Sequence, residues 1–142
     1  MLDRDLLHKQ EVQASTALRV AYRFVNFSQP DDPVAIEAFR SDAELGKPPR
    51  GRSLRIPELR EGLSFFRTKE LALERWKGIA EYARKRDPLA VPKIGTYLAA
   101  VQLQADSGIF YEDLEQQDGH ITVWGQPEVL AAGIIEIFSI EG

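Results

Sequence analysis

The side chains best suited to chemistry in this chain are a serine, a histidine and an arginine on three separate apolar segments. Ser64 lies within LSFFR, His120 begins HITVW, and Arg23 lies within VAYRFV. A serine hydroxyl can bind a polar ligand or act as a nucleophile beside a base, and histidine titrates near neutral pH. The guanidinium of Arg23 stays charged, so on an inward face it needs an anionic partner such as a ligand phosphate or carboxylate.

Each of these residues also has a purely structural interpretation. Period-two alternation allows Ser64 to face either a cleft or solvent. His120 follows a turn and can be a surface or capping residue, while Arg23 can lie on the solvent face or pair with Glu70 or Glu136. No Gly-x-Ser-x-Gly turn supports a Ser–His–acid triad. The three residues are therefore candidates for a site whose chemistry the spacing alone leaves open.

The composition excludes several classes of site. The 142 residues include no cysteine and only two histidines. Disulfides, thiolate zinc sites and a cysteine nucleophile are excluded, and no metal site is expected. No apolar run approaches the length of a transmembrane helix, and the charged N-terminus lacks the order of a signal peptide. We therefore expect a cytoplasmic protein without a membrane partner.

Charge is distributed unevenly along the chain. Residues 1–93 carry 18 basic and 14 acidic groups, whereas residues 94–142 carry eight acidic groups and no basic ones. This asymmetry is consistent with a two-signed surface that orients a partner, or with a chance distribution over a solvated surface. Five cations lie on the Pro- and Gly-rich loop 47–60, namely Lys47, Arg50, Arg52, Arg55 and Arg60. The loop contains no aromatic residue on which bases could stack, so nucleic acid is disfavoured as a partner.

Apolar patterning predicts an α+β fold in a single domain. Residues 1–16 are expected to form a flexible or short helical arm, and residues 17–142 a domain with a mixed or antiparallel sheet of about six strands. The two main helices are predicted at 33–45 and 69–86, with Thr68 as the N-cap of the second. The predicted strands are residues 18–27, 63–67, 93–105, 108–114, 120–125 and 133–140, the last of them central in the sheet because it alternates and is apolar.

The order of these motifs resembles the ADP-ribosyltransferase superfamily. VAYRFV is similar to the family's first strand, with Arg23 at the position of the NAD-holding residue. GLSFFRTKELALERW is similar to its glycine- and serine-containing strand and following helix, with Gly62 and Ser64 matching. GHITVWGQPEVLAAGIIEI is similar to the late segment of the poly-ADP-ribose polymerase branch. The position of the family's catalytic glutamate falls on His120.

The resemblance implies NAD as the cofactor and a set of roles for these residues. Arg23 would hold the pyrophosphate or the adenosine ribose, Gly62 would line the cofactor site, and Ser64 and His120 would contact the nicotinamide ribose as the catalytic pair. Histidine lacks the negative charge of the missing glutamate, so transfer activity is expected to be altered or lost. The alternative is a non-enzymatic module that binds a protein partner or associates with itself.

Overall fold

The structure is a computed structural model that describes residues 6–92 and 94–140. Seven strands form one sheet in the order β1-β5-β6-β3-β2-β4-β7, and every neighbouring pair is antiparallel. The strands are β1 Gln10–Glu11, β2 Val20–Val25, β3 Leu63–Phe66, β4 Tyr97–Gln102, β5 Phe110–Glu112, β6 His120–Trp124 and β7 Ile134–Ser139, and the helices are α1 Lys69–Arg86 and α2 Pro127–Ala132. The predicted α+β class with an antiparallel sheet is confirmed, with seven strands instead of about six.

Side chains of the sheet alternate between two apolar layers. On one face Phe65 and Val123 pack in the larger core together with Leu130 of α2. On the other face Phe66 and Leu98 pack with Ala72 of α1. Helix α1 begins as predicted, because the Thr68 hydroxyl accepts the amide hydrogen of Leu71 at 3.2 Å. Helix α1 therefore covers one part of this second face. The loop 47–60 lies beside the helix, where Arg52 contacts Glu112 of β5.

The prediction of a helix at residues 33–45 is wrong. This segment forms turns and one 3₁₀ turn at Glu37–Phe39, and the backbone becomes extended at Arg40. In an α-helix the Ala38 carbonyl would accept the amide hydrogen of Asp42. Here it accepts two hydrogen bonds from the Arg23 side chain. Tertiary contacts thus outweigh the local helical pattern.

The prediction that the last strand is central is also wrong, because β7 is an edge strand paired with β4. Its apolar pattern has another cause: Ile137 packs against the larger core and Phe138 against the helix-covered layer. Lys69 of α1 lies over the Phe138 ring, 3.8 Å from its centroid. Apolar side chains on both faces of the strand therefore contact core layers, although the strand lies at the edge of the sheet.

Gln10 and Glu11, within the segment predicted to be a flexible or short helical arm, form strand β1 and pair with Tyr111 and Phe110 of β5. Residues 1–5 of that predicted arm lie outside the described residues, and so does Lys93 at the start of the predicted third strand. The arm is therefore joined to the sheet from residue 10 onward.

A buried carboxylate ties three segments together at β5. The Glu112 side chain is 1% exposed and forms a bidentate pair with Arg52, at 2.5 Å from Nη1 to Oε1 and 3.0 Å from Nη2 to Oε2. Its Oε2 also accepts the backbone N–H of His8 at 2.7 Å, and Arg52 donates to the Leu6 carbonyl. This carboxylate fixes the basic loop and the N-terminal segment on the sheet.

The pKa of Glu112 predicts a loss of stability in acid. Burial raises this pKa, but the hydrogen bonds and charge of Arg52 and the His8 amide outweigh burial, and the pKa lies below its ordinary value of 4.5. The stabilisation is therefore complete above pH 4.5 and is lost as the pH falls through the folded-state pKa. We expect Glu112→Gln to lower the free energy of unfolding at pH 7 by about 3 kcal/mol and to flatten its acid dependence.

Urea unfolding between pH 3 and pH 7 measures this effect. Glu81→Gln, at an exposed position of α1, is the matched control and should change the free energy of unfolding by less than about 0.5 kcal/mol. An unchanged acid dependence in Glu112→Gln would contradict the role assigned to this carboxylate.

Candidate functional site

The structure brings Ser64 and His120 into direct contact across β3 and β6. Ser64 is opposite Thr122 in the ladder and Phe66 is opposite His120. Ser64 and His120 are therefore diagonal neighbours on one face of the sheet. Ser64 Oγ lies 3.0 Å from His120 Nε2. Two of the residues selected from the sequence thus form a hydroxyl–imidazole pair.

The imidazole of His120 favours the neutral form. Burial lowers its pKa, the charge of Asp118 raises it and that of Arg75 lowers it, and the pKa lies below its ordinary value of 6.5. The ring also stands edge-on to Phe66, with 5.8 Å between the centroids. At neutral pH the uncharged ring can either accept the Ser64 hydroxyl hydrogen or donate to its oxygen, according to the tautomer.

No Ser–His–Asp relay forms through the adjacent acid. The Asp118 carboxylate accepts the backbone N–H of His120 at 3.0 Å, not the ring hydrogen. A triad requires the acid to orient the imidazole through its second ring nitrogen. The contact that Asp118 makes instead shapes the turn before β6. This arrangement gives the pair a binding role more readily than a nucleophilic one.

A cleft of about 400 Å³ opens beside this pair. Its wall includes Gly62, Ser64 and His120, and the basic loop contributes Arg50, Arg52 and Arg60. Within the described residues, only two buried side-chain nitrogen atoms lack a hydrogen-bond partner, and one is Arg60 Nε. A buried donor without a partner is costly and can be satisfied by an acceptor from a ligand. The wall also contains Asp42 and Glu112, so its three arginines outnumber its two carboxylates, and this balance favours an anionic group.

Arg23 bridges two strands that separate from each other. Strands β2 and β3 pair at one position, Tyr22 with Phe66. Beyond it, Arg23 Nη1 donates to the Ser64 carbonyl at 2.9 Å, and Nε and Nη2 donate to the Ala38 carbonyl at 3.1 and 3.0 Å. The partners are thus backbone carbonyls, rather than Glu70 or Glu136. The Arg23 side chain replaces ladder hydrogen bonds that the diverging strands do not form.

The guanidinium of Arg23 lies beside two aromatic rings that are stacked on each other, with 6.3 Å between their centroids. Its Cζ is 5.9 Å from the Phe39 centroid and 5.8 Å from that of Phe65. Burial lowers the pKa of Arg23 to about 10, although the charge of Asp42 raises it, and the group remains protonated at neutral pH. Arg23 lines an adjoining cleft of about 590 Å³, which shares Ser64 and Gly62 with the first. The four predicted site residues therefore line two neighbouring clefts, Arg23 in one and His120 in the other, with Ser64 and Gly62 in the walls of both.

Gly62 is required by close packing before β3. A Cβ atom at this position would overlap Thr122 Cγ2 and lie 3.0 Å from Cε2 of Trp124. The Trp124 indole in turn donates to the Glu58 carbonyl at 2.9 Å. Glycine therefore lets the basic loop approach β6 closely, which sets the width of the cleft beside Ser64.

Sequence reasoning missed the contribution of Glu112 and Arg52 to the wall of the cleft. Strand periodicity does hold a signal, since Glu112 is two residues from Phe110 and so shares its face of the sheet. A carboxylate on a covered face needs a cationic partner. The basic loop supplies that partner, but its contact with Glu112 spans 60 residues of chain and no local pattern reveals it.

Among residues 6–92 and 94–140, no three carboxylate or imidazole side chains lie close enough together to share a metal ion. Of the helices in these ranges, none combines the length and the apolar character needed to cross a bilayer.

Comparison with other proteins gives no assignment. No protein-family model matches the chain, and no match is found among curated proteins or among solved structures.

The close packing of Gly62 gives a direct test of the wall geometry. We expect Gly62→Ala to lower the free energy of unfolding by about 1–3 kcal/mol, because the new methyl group would displace Thr122 or Trp124. Gly78→Ala in α1 is the matched control, since nothing lies within 4 Å of its added Cβ, and it should stabilise by about 1 kcal/mol. Urea unfolding measures both, and equal effects would contradict the packing argument.

The hydrogen bonds of Arg23 predict a structural cost of its removal. We expect Arg23→Ala to lower the free energy of unfolding by roughly 2–4 kcal/mol, because the Ala38 and Ser64 carbonyls would lose their donors. Lys77→Ala, at an exposed site of α1, should change it by less than about 0.5 kcal/mol. A change in Arg23→Ala as small as in this control would show that water replaces the guanidinium.

Proposed function

We propose that the two neighbouring clefts around Ser64 bind a nucleotide, with NAD as the candidate cofactor. The observation that carries this proposal is the Ser64–His120 pair, with 3.0 Å between Oγ and Nε2, in a cleft bordered by guanidinium groups. A hydroxyl and a neutral imidazole suit the hydroxyl groups of a ribose, and arginine suits phosphate. The resemblance of the motifs to ADP-ribosyltransferases supplies NAD as the specific nucleotide.

The electrostatics of the wall support binding of a phosphate group. Of the three arginines in the cleft, Arg52 is paired with Glu112, whereas Arg60 has a buried Nε without a partner. Arg50 lines both clefts. A pyrophosphate that lies between the two spaces would meet Arg50 and Arg60 together. Arg23 would then support the site through its bonds to the Ser64 and Ala38 carbonyls.

Transfer of ADP-ribose is not part of the proposal. His120 stands at the position that the resemblance assigns to the catalytic glutamate. The buried carboxylate on the same face, Glu112, already accepts hydrogen bonds from Arg52 and the His8 amide. A carboxylate so engaged is a weak candidate to stabilise an oxocarbenium-like centre. We therefore propose binding, with catalysis altered or lost.

Calorimetric titration with NAD, with ATP as the comparison, tests this proposal. We expect saturable NAD binding that weakens about tenfold in Ser64→Ala and in Arg60→Ala, because each change removes hydrogen bonds to the ligand. Ser139→Ala, at an exposed position of β7, is the matched control and should bind like the unaltered protein. A flat NAD titration with folded protein would refute the proposal.

A second candidate function is association through the edge of the sheet. Within the described residues β7 pairs only with β4, and Ile135 on this strand is 57% exposed. An unpaired edge with an exposed apolar side chain can add a strand from another chain. Sedimentation analysis of the unaltered protein and of Ile135→Lys would detect such association, and a monomer at all concentrations would exclude self-association.

A further inference from the structure

A second cleft, of about 620 Å³, lies at the far ends of β5 and β6. Phe110 and Trp124 are directly paired across these strands and both border it. They belong to the same face of the sheet as Ser64 and His120 by strand alternation. The lining of this cleft shares no residue with that of the Ser64 cleft. Its chemistry can therefore be considered independently of the nucleotide proposal.

A lysine ammonium of the chain itself already lies against both aromatic rings. Lys9 Nζ is 5.1 Å from the Phe110 centroid and 5.0 Å from that of Trp124. Aromatic faces attract ammonium groups at this distance, and tryptophan does so most strongly. The side chain of Lys9 thus identifies the kind of group that this cleft accepts.

Two exposed carboxylates also line the cleft. These are Glu44 and Glu61, which precede the two aromatic strands in the chain. Glu44 Oε1 is oriented by Ser41, whose amide and hydroxyl lie at 3.3 and 3.4 Å. Aromatic faces combined with carboxylates favour a cationic ligand and disfavour an anionic one.

The cleft contains open space beside the ammonium group of Lys9, which is one of its lining residues. An ammonium group has roughly the size of a water molecule, whose share of liquid volume is about 30 Å³. The cleft of 620 Å³ lies within the range of about 300–1,000 Å³ that is usual for ligand sites. Space therefore remains for a longer side chain and the peptide that carries it.

We propose that this cleft binds the protonated amine of a lysine side chain from another polypeptide, and that Lys9 occupies it in the absence of that ligand. The incoming lysine would displace Lys9 and take its position between Phe110 and Trp124. Glu44 and Glu61 would balance its charge. The N-terminal segment would then act as a built-in competitor.

Two-dimensional NMR of the indole N–H groups tests this proposal. The chain has two tryptophans, so Trp124 reports on the cleft and Trp76, whose indole donates to the Gly95 carbonyl at 2.8 Å, is an internal control. The probe is acetyl-Ala-Lys-Ala-amide, and its uncharged match carries norleucine in place of lysine. We expect a saturable shift of the Trp124 signal alone, with affinity in Lys9→Ala about tenfold higher than in the unaltered protein.

Further variants separate recognition of the charge from general apolar binding. In the Lys9→Ala background, Glu61→Gln should weaken binding of the lysine peptide by about threefold. The norleucine peptide should leave the Trp124 signal unchanged. Equal shifts with both peptides, or no saturable shift in folded Lys9→Ala protein, would overturn the proposal. Neither result depends on whether NAD binds to the Ser64 cleft.

Discussion

The buried ion pair between Glu112 and Arg52 is the contact on which the arrangement of both clefts depends. It joins the loop that contains residues 51–54 to β5, and through the His8 amide it also joins the N-terminal segment. Removal of either partner would leave a charge without compensation in a dry environment, and such a loss is strongly destabilising. The loop and the segment are consequently held at fixed positions beside the part of the sheet that α1 covers.

The separation of β2 from β3 is the second constraint on the site. If these strands continued to pair beyond Tyr22 and Phe66, their backbone groups would satisfy one another and no space would open between them. Arg23 makes the separation tolerable, since its planar group serves carbonyls on two segments at once. Arg23 thus lines a cleft at the place where the two strands separate. Its hydrogen bonds to the Ala38 carbonyl also take the place of the helical bond that this carbonyl would otherwise accept.

The sequence predicts the parts of this structure that depend on local or periodic signals. Helix α1 has a capping Thr68 and an apolar stripe, and Ser64 and His120 lie at positions where strand periodicity makes them available to one face. The failures have a common cause. The segment around Ala38 and the buried state of Glu112 are decided by contacts with Arg23 and Arg52, which are distant in the chain. The sequence predicts that β7 is central because both of its faces carry apolar side chains, a pattern that an edge strand in contact with two core layers also shows.

The position of Lys9 has a consequence for the strength of competition. The amide of His8 is hydrogen-bonded to Glu112, and Lys9 is the next residue in the chain. The side chain of Lys9 is therefore held close to Phe110 and Trp124. A tethered group competes at an effective concentration that reaches the millimolar range for short linkers. Free amines in solution would therefore bind poorly, whereas a partner that also contacts neighbouring surface could displace Lys9. The cleft would in this way select ligands by the number of their simultaneous contacts as well as by their charge.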